Sequence, residues 1–227
     1  MPHVHVHAPH ELSETPGHTG PGADRAEHVL ELLAILLLSL TTLATAWSGY
    51  QAALWSGEQS QSFARASTMR IKAQAQSTLA GQLRIDDLVL FNSWLDAREA
   101  GDRKLAAIYR RRFRPDFVPA FDAWIAQRPF TSRAAIPGPL YTPEYRLPET
   151  ARAAAFDARA DALYEAGTSA KTNDDRYILS TLFFAAVLFF AGISLRLQWR
   201  RLRYVVLGMA AALLLSGVGY VLTLPVA

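Results

Sequence analysis

Three long stretches of the chain carry no charged side chain, and they limit the fold more than any other feature. Leu32 to Gly57, Tyr177 to Leu195 and Tyr204 to Ala227 are free of Asp, Glu, Lys and Arg. A helix needs about 20 mostly apolar residues to cross a bilayer, where every backbone polar group must be satisfied within the segment. Each stretch meets that requirement. Trp47, Tyr50 and Trp55 close the first, and Trp199 and Tyr204 flank the last two, as amphipathic rings do at headgroup level. The expectation is an all-α membrane protein with transmembrane helices at 28–49, 176–195 and 204–225. A helical extramembrane domain at 50–175 separates the first from the second. The 227 residues are 51% hydrophobic and 19% charged, an average over a greasy part and a polar part that excludes a soluble cytosolic enzyme. A cleaved signal peptide ending at Ala44-Thr45-Ala46 is the rival for the first span. Glu11, Glu14, Asp24 and Glu27 precede it against Arg25 alone, the reverse of the positive segment a signal peptide wants.

Orientation follows from the short link between the second and third spans. Arg196, Arg200, Arg201 and Arg203 fall there with no acid among them. Positive charge in short loops stays in the cytoplasm, whereas long loops translocate largely regardless of charge. Residues 196–203 are therefore expected as a cytoplasmic Arg loop, the amino terminus as cytoplasmic, and 50–175 as extracytoplasmic. Arg65, Arg70 and Lys72 just after the first span point the other way, but the compact Arg hairpin carries more weight.

Outside the spans the pattern is helical. Residues 1–27 hold His3, His5, His7, His10 and His18 among prolines and glycines, with too little apolar surface to bury a core. The first span is expected to run on as helix through 51–83, a segment rich in Ala, Gln and Ser. Such a helix has little to bury and needs a partner: the Ala-rich helix opening at Thr150, or a second subunit. Leu88, Phe91 and Leu95 then form an i, i+3, i+7 stripe, which Gly101 stops. Asp102 caps a further helix ended by Pro115. Phe117, Phe121, Trp124 and Ile125 mark the strongest helical pattern outside the membrane, and Phe117, Phe121 and Trp124 are expected in a core. Five prolines between Pro129 and Pro148 make that segment a loop.

Few residues suggest chemistry. His3, His5, His7 and His10 on a flexible tail are weak candidates for a divalent metal. No carboxylate completes a shell, and Pro2 lacks the amide that an amino-terminal copper site deprotonates. A solvated tail is the plainer reading. Arg110, Arg111, Arg112 and Arg114 could grip a lipid headgroup or another anion bidentately, or simply stabilise a helix carboxyl end. Asp157, Asp161 and Glu165 share one helix face, and Asp86-Asp87 and Asp96/Glu99 are further acidic pairs. Without an extracytoplasmic His to work with, these read as solvated faces. The spans contain no buried acid or base of the kind a pump needs, Glu31 lying at a membrane edge. Gly208, Ala212 and Ser216, four residues apart, suggest a close helix–helix contact. The absence of cysteine excludes disulfides and thiolate chemistry, and a net charge of +3 is too mild to imply a nucleic-acid partner.

The layout as a whole resembles that of uncharacterised bacterial three-span membrane proteins. The similarity rests on a His- and Glu-bearing tail, one span, the run "YQAALWSGEQSQSFARASTMRIKAQ" and a two-span carboxyl-terminal hairpin. It implies an architecture and no activity. The sequence thus reads as a non-enzymatic, multi-pass protein of the bacterial inner membrane, an oligomeric scaffold or interaction module. Its expected partners are the lipid bilayer and further copies of itself, without a cofactor. A homo-oligomeric channel lined by Thr41, Thr45 and Ser48 is the second reading, and an enzyme using the acidic faces the third.

Overall fold

A computed structural model describes residues 21–227, with side chains from Glu27 onward. The chain is helical, and no strand occurs among the described residues. Helix α1 spans Pro21–Glu99, α2 Arg103–Arg112, α3 Val118–Ala126, α4 Pro148–Ser194 and α5 Arg200–Val221. Three of these, α1, α4 and α5, contain segments long and apolar enough to cross a membrane. Helix α1 already runs from Pro21 into the first apolar stretch. No break separates the first apolar stretch from the Ala/Gln/Ser segment after it, nor the Ala-rich segment after Pro148 from the second apolar stretch. Helix α5 starts at Arg200, so part of the Arg-rich link is itself helical.

The described residues divide into two compact units, 21–54 with 173–227 and 55–172. In the first, Phe184, Val187 and Ala191 of α4 pack with Ala210 and Leu214 of α5, joined by Leu37, Leu38 and Ala44 of α1. Gly217 lets α5 approach closely, because a Cβ there would meet the Phe184 ring at 2.8 Å. The expected contact stripe of Gly208, Ala212 and Ser216 is not the packed face within the chain. Ala212 and Ser216 are exposed, and a Cβ at Gly208 would touch nothing within 4 Å. Helix α5 instead turns Leu207, Ala210, Leu214 and Gly217 inward, a face that combines leucine bulk with a glycine opposite Phe184. Hydroxyls are spent locally: Thr41 donates to Leu37 O at 2.6 Å, Thr45 to Thr41 O at 2.7 Å and Ser216 to Ala212 O at 2.9 Å. The carboxyl terminus is tied down by Tyr177, whose hydroxyl donates to Pro225 O at 3.2 Å, and by Ala227 N donating to Gln51 Oε1 at 3.0 Å.

In the second unit the polar stretch of α1 finds its partner in the same chain. Ala66, Ala73 and Ala80 are buried at intervals of seven, as are Ala153, Ala160 and Gly167 of α4. A seven-residue repeat of small side chains keeps one face on its partner and lets the two backbones come close. The helices run antiparallel. Phe63 lies 5.3 Å from the Tyr164 ring, Arg70 pairs with Asp161 at 2.9 Å, and Lys72 sits 6.0 Å from the Phe156 ring. Glycine at 167 is what admits Phe63, since a Cβ there would stand 2.6 Å from that ring.

Past this pairing lies an aromatic core. Phe91 and Trp94 of α1 meet Phe113, Phe117, Ala120, Phe121 and Trp124, all buried. Trp94 and Phe121 stand edge to face at 4.7 Å, Phe113 and Phe121 at 4.9 Å. The stripe on α1 is rotated from the expected one, because Leu88 is 44% exposed while Trp94 and Ala97 are buried. Gly101, at φ +76°, ends the α1 run, and Asp102 caps α2 by accepting from Leu105 N at 2.9 Å. Trp124 donates its indole N–H to Ile136 O at 2.9 Å, which fixes the Pro-rich loop onto α3.

Candidate anion-binding cleft

The four arginines grouped by the sequence are divided by the fold. Arg111 and Arg112 project to solvent. Arg114 turns inward and grips Asp87 bidentately, Nη2 donating to Oδ2 at 2.8 Å and Nε to Oδ1 at 3.3 Å. Its remaining nitrogen reaches Asp116 at 3.1 Å. Asp87 is only 1% exposed and also accepts from the Tyr145 hydroxyl at 3.1 Å. The solvated face expected at Asp86-Asp87 therefore holds for Asp86 alone. Asp87 stands seven residues after Ala80 and seven before Trp94, on the buried side of α1, so it enters the core and requires a cation. Its hydrogen bond and charge raise the pKa of Arg114. Burial, then the Asp87 charge, pushes the Tyr145 hydroxyl well above its ordinary value. All three groups are saturated by one another, which makes this a structural lock.

Arg110 takes a different direction and opens onto a cleft of about 630 Å³ between the end of α1, the start of α2 and α3. Three guanidinium groups border it, those of Arg98, Arg103 and Arg110, over walls formed by Trp94, Phe121 and Ile125. Arg110 lies 4.7 Å from the Phe121 ring and pairs with Asp122 at 2.6 Å. Arg98 lies 4.1 Å from the Phe130 ring and 5.6 Å from Trp94, so the aromatic faces hold its guanidinium in place. Among the described residues neither Arg98 nor Arg103 makes an ion pair. The lining residues include three arginines and no acid, with Asp122 paired to Arg110 alone, and planar guanidiniums suit carboxylate or phosphate oxygens.

Sequence reasoning finds Arg110 and misses Arg98 and Arg103. Both flank Gly101, and the left-handed turn at that glycine carries the chain from α1 into α2 and sets the two arginines on one cleft. The other acidic candidates stay at the surface: Asp157 and Glu165 are exposed, and Asp161 is occupied by Arg70. His3, His5, His7 and His10 lie outside the described residues. Among the described residues no group of three or more His, Asp or Glu is placed to hold a metal. No family model, no curated protein and no solved structure matches the chain.

Proposed function

We propose that this chain is a non-enzymatic, multi-pass protein of the bacterial inner membrane whose second unit is an extracytoplasmic interaction module for an anionic partner. The cleft bordered by Arg98, Arg103 and Arg110 carries this reading. It offers positive charge over an aromatic floor, a setting that suits an anion. Anchoring in the membrane is supported by the three apolar helices and by the outward side chains of α1, where Leu32, Leu36, Leu40 and Leu43 are all exposed. Leucines at that density facing water would be a severe liability, and facing lipid they cost nothing. The orientation rests on the Arg196–Arg203 link. The channel reading is weakened by Thr41 and Ser48, which are buried inside the first unit rather than presented to a second copy.

Calorimetric titration of the full chain in mild detergent with pyrophosphate and with citrate tests the cleft. Arg98→Gln combined with Arg103→Gln is expected to weaken binding at least about tenfold, the worth of one lost charge-assisted hydrogen bond. Arg111→Gln combined with Arg112→Gln should leave affinity unchanged at fixed ionic strength. Equal losses from both pairs would mean diffuse attraction to a basic surface and no site.

A further inference from the structure

The first unit has its own unfilled feature, a groove of about 360 Å³ between α1 and α5. Its walls are Leu33, Leu36 and Leu40 on one helix and Tyr204, Gly208 and Ala211 on the other, and its lining is almost wholly apolar. Gly208 forms part of the floor, where a Cβ would meet nothing within 4 Å. Among the described residues no side chain occupies that space. One turn before Tyr204, toward the amino end of α5, stand Arg200 and Arg201, both exposed and neither in an ion pair among the described residues. Trp199 caps α5 without a side-chain hydrogen bond, so the amide groups of the first turn add positive potential at the same end. Arg203 does not line the groove. It faces a separate cleft with Glu27, His28 and Glu31.

We infer that the groove is a binding site for one anionic phospholipid, with an acyl chain along Gly208 and the phosphate at Arg200 and Arg201. This rests on the membrane reading above. Helix α5 or the apolar part of α4 from a second copy would satisfy the apolar walls but bring no anion, since neither has an acidic residue there, and the acids of α1 at this end, Glu27 and Glu31, already border the cleft of Arg203. A phospholipid satisfies both ends at once, and basic clusters at the cytoplasmic edge of a span attract anionic headgroups.

The full chain, purified in mild detergent, would be melted with added phosphatidylglycerol or phosphatidylcholine of matched acyl chains, and its bound lipid read by native mass spectrometry. At roughly hundredfold excess over Kd, phosphatidylglycerol is expected to raise Tm by about 5–10 °C and to remain bound at one per chain. Phosphatidylcholine should do neither. Gly208→Leu fills open space in a helix that favours leucine over glycine, so it should fold normally and lose the retained lipid. Arg200→Gln with Arg201→Gln should erase the preference between the two lipids. Equal stabilisation of the parent chain by both lipids, or undiminished lipid in Gly208→Leu, would overturn the site. So would a dimer of the parent chain that Gly208→Leu splits, because the occupant would then be a second copy. Alkaline carbonate extraction of membranes separates the two levels of failure: release of the chain sinks the membrane reading itself, whereas retention alongside a negative lipid result sinks the groove alone.

Discussion

Replacing Trp124 with alanine is expected to destabilise the second unit by about 3–5 kcal/mol, the range for deleting a large aromatic from a packed core. Trp124 is 4% exposed and stands edge to face with Phe91 at 5.1 Å and Phe130 at 5.8 Å. Its indole N–H also holds Ile136 O, so the substitution leaves a carbonyl without its donor as well as a cavity. Near-ultraviolet circular dichroism of the full chain during thermal melting should show the aromatic signal lost at a much lower temperature. Helical signal from the first unit should persist beyond it. Trp124→Phe keeps most of the volume and should cost clearly less. An unchanged melt in Trp124→Ala would mean that the ring is not part of the core.

Arg114→Met should cost about as much, for an electrostatic reason. Removing one partner of a buried pair leaves the other charge uncompensated, at roughly 3–5 kcal/mol. Asp87 would keep only the Tyr145 hydroxyl in a place that water barely reaches. Asp87→Asn with Arg114→Met removes both charges and is expected to recover much of the loss, so the pair should be strongly non-additive. The parent protein should also have an alkaline limit set at this site. The folded-state pKa of Tyr145 is raised above its ordinary value of 10.0, so the hydroxyl's contribution is complete below pH 10 and is lost as pH climbs above it. Tyr145→Phe should be less stable at neutral pH yet lose less between pH 9 and 11. Denaturant midpoints measured across that window would decide the matter, and parallel slopes for parent and variant would mean that Tyr145 does not set the limit.

What the sequence discloses and what it hides depend on how each interaction is encoded. Apolar runs such as Tyr177–Leu195 and the stripe of Phe117, Phe121 and Trp124 are legible because bulk burial depends on side-chain type and period alone. The cap at Asp102 is legible for a similar local reason. The partner of the Ala/Gln/Ser helix is not. Small residues on a seven-residue repeat permit close packing against any similar helix, and both α4 and a second subunit qualify. Only the antiparallel return, with Phe63 seated over Gly167 and Arg70 on Asp161, fixes the choice within the chain. Asp87 misleads because its neighbour Asp86 makes the pair look solvated, and the clue is its seven-residue spacing from Ala80 and Trp94. The cleft arginines misread for the opposite reason. Sequence proximity groups Arg110, Arg111, Arg112 and Arg114, whereas a helix sends adjacent residues about 100° apart. One of the four joins Arg98 and Arg103 across the turn at Gly101 instead.

The proposed orientation, with the second unit away from the cytoplasm, is open to one direct measurement. The chain has no cysteine of its own, so single substitutions Arg133→Cys and Gln198→Cys, both at exposed positions, report without background. Intact spheroplasts would be treated with a membrane-impermeant thiol reagent before and after permeabilisation. Labelling is expected at position 133 in intact spheroplasts, and at position 198 only once the membrane is opened. Labelling of 198 alone in intact spheroplasts would place the module in the cytoplasm and contradict the proposed orientation.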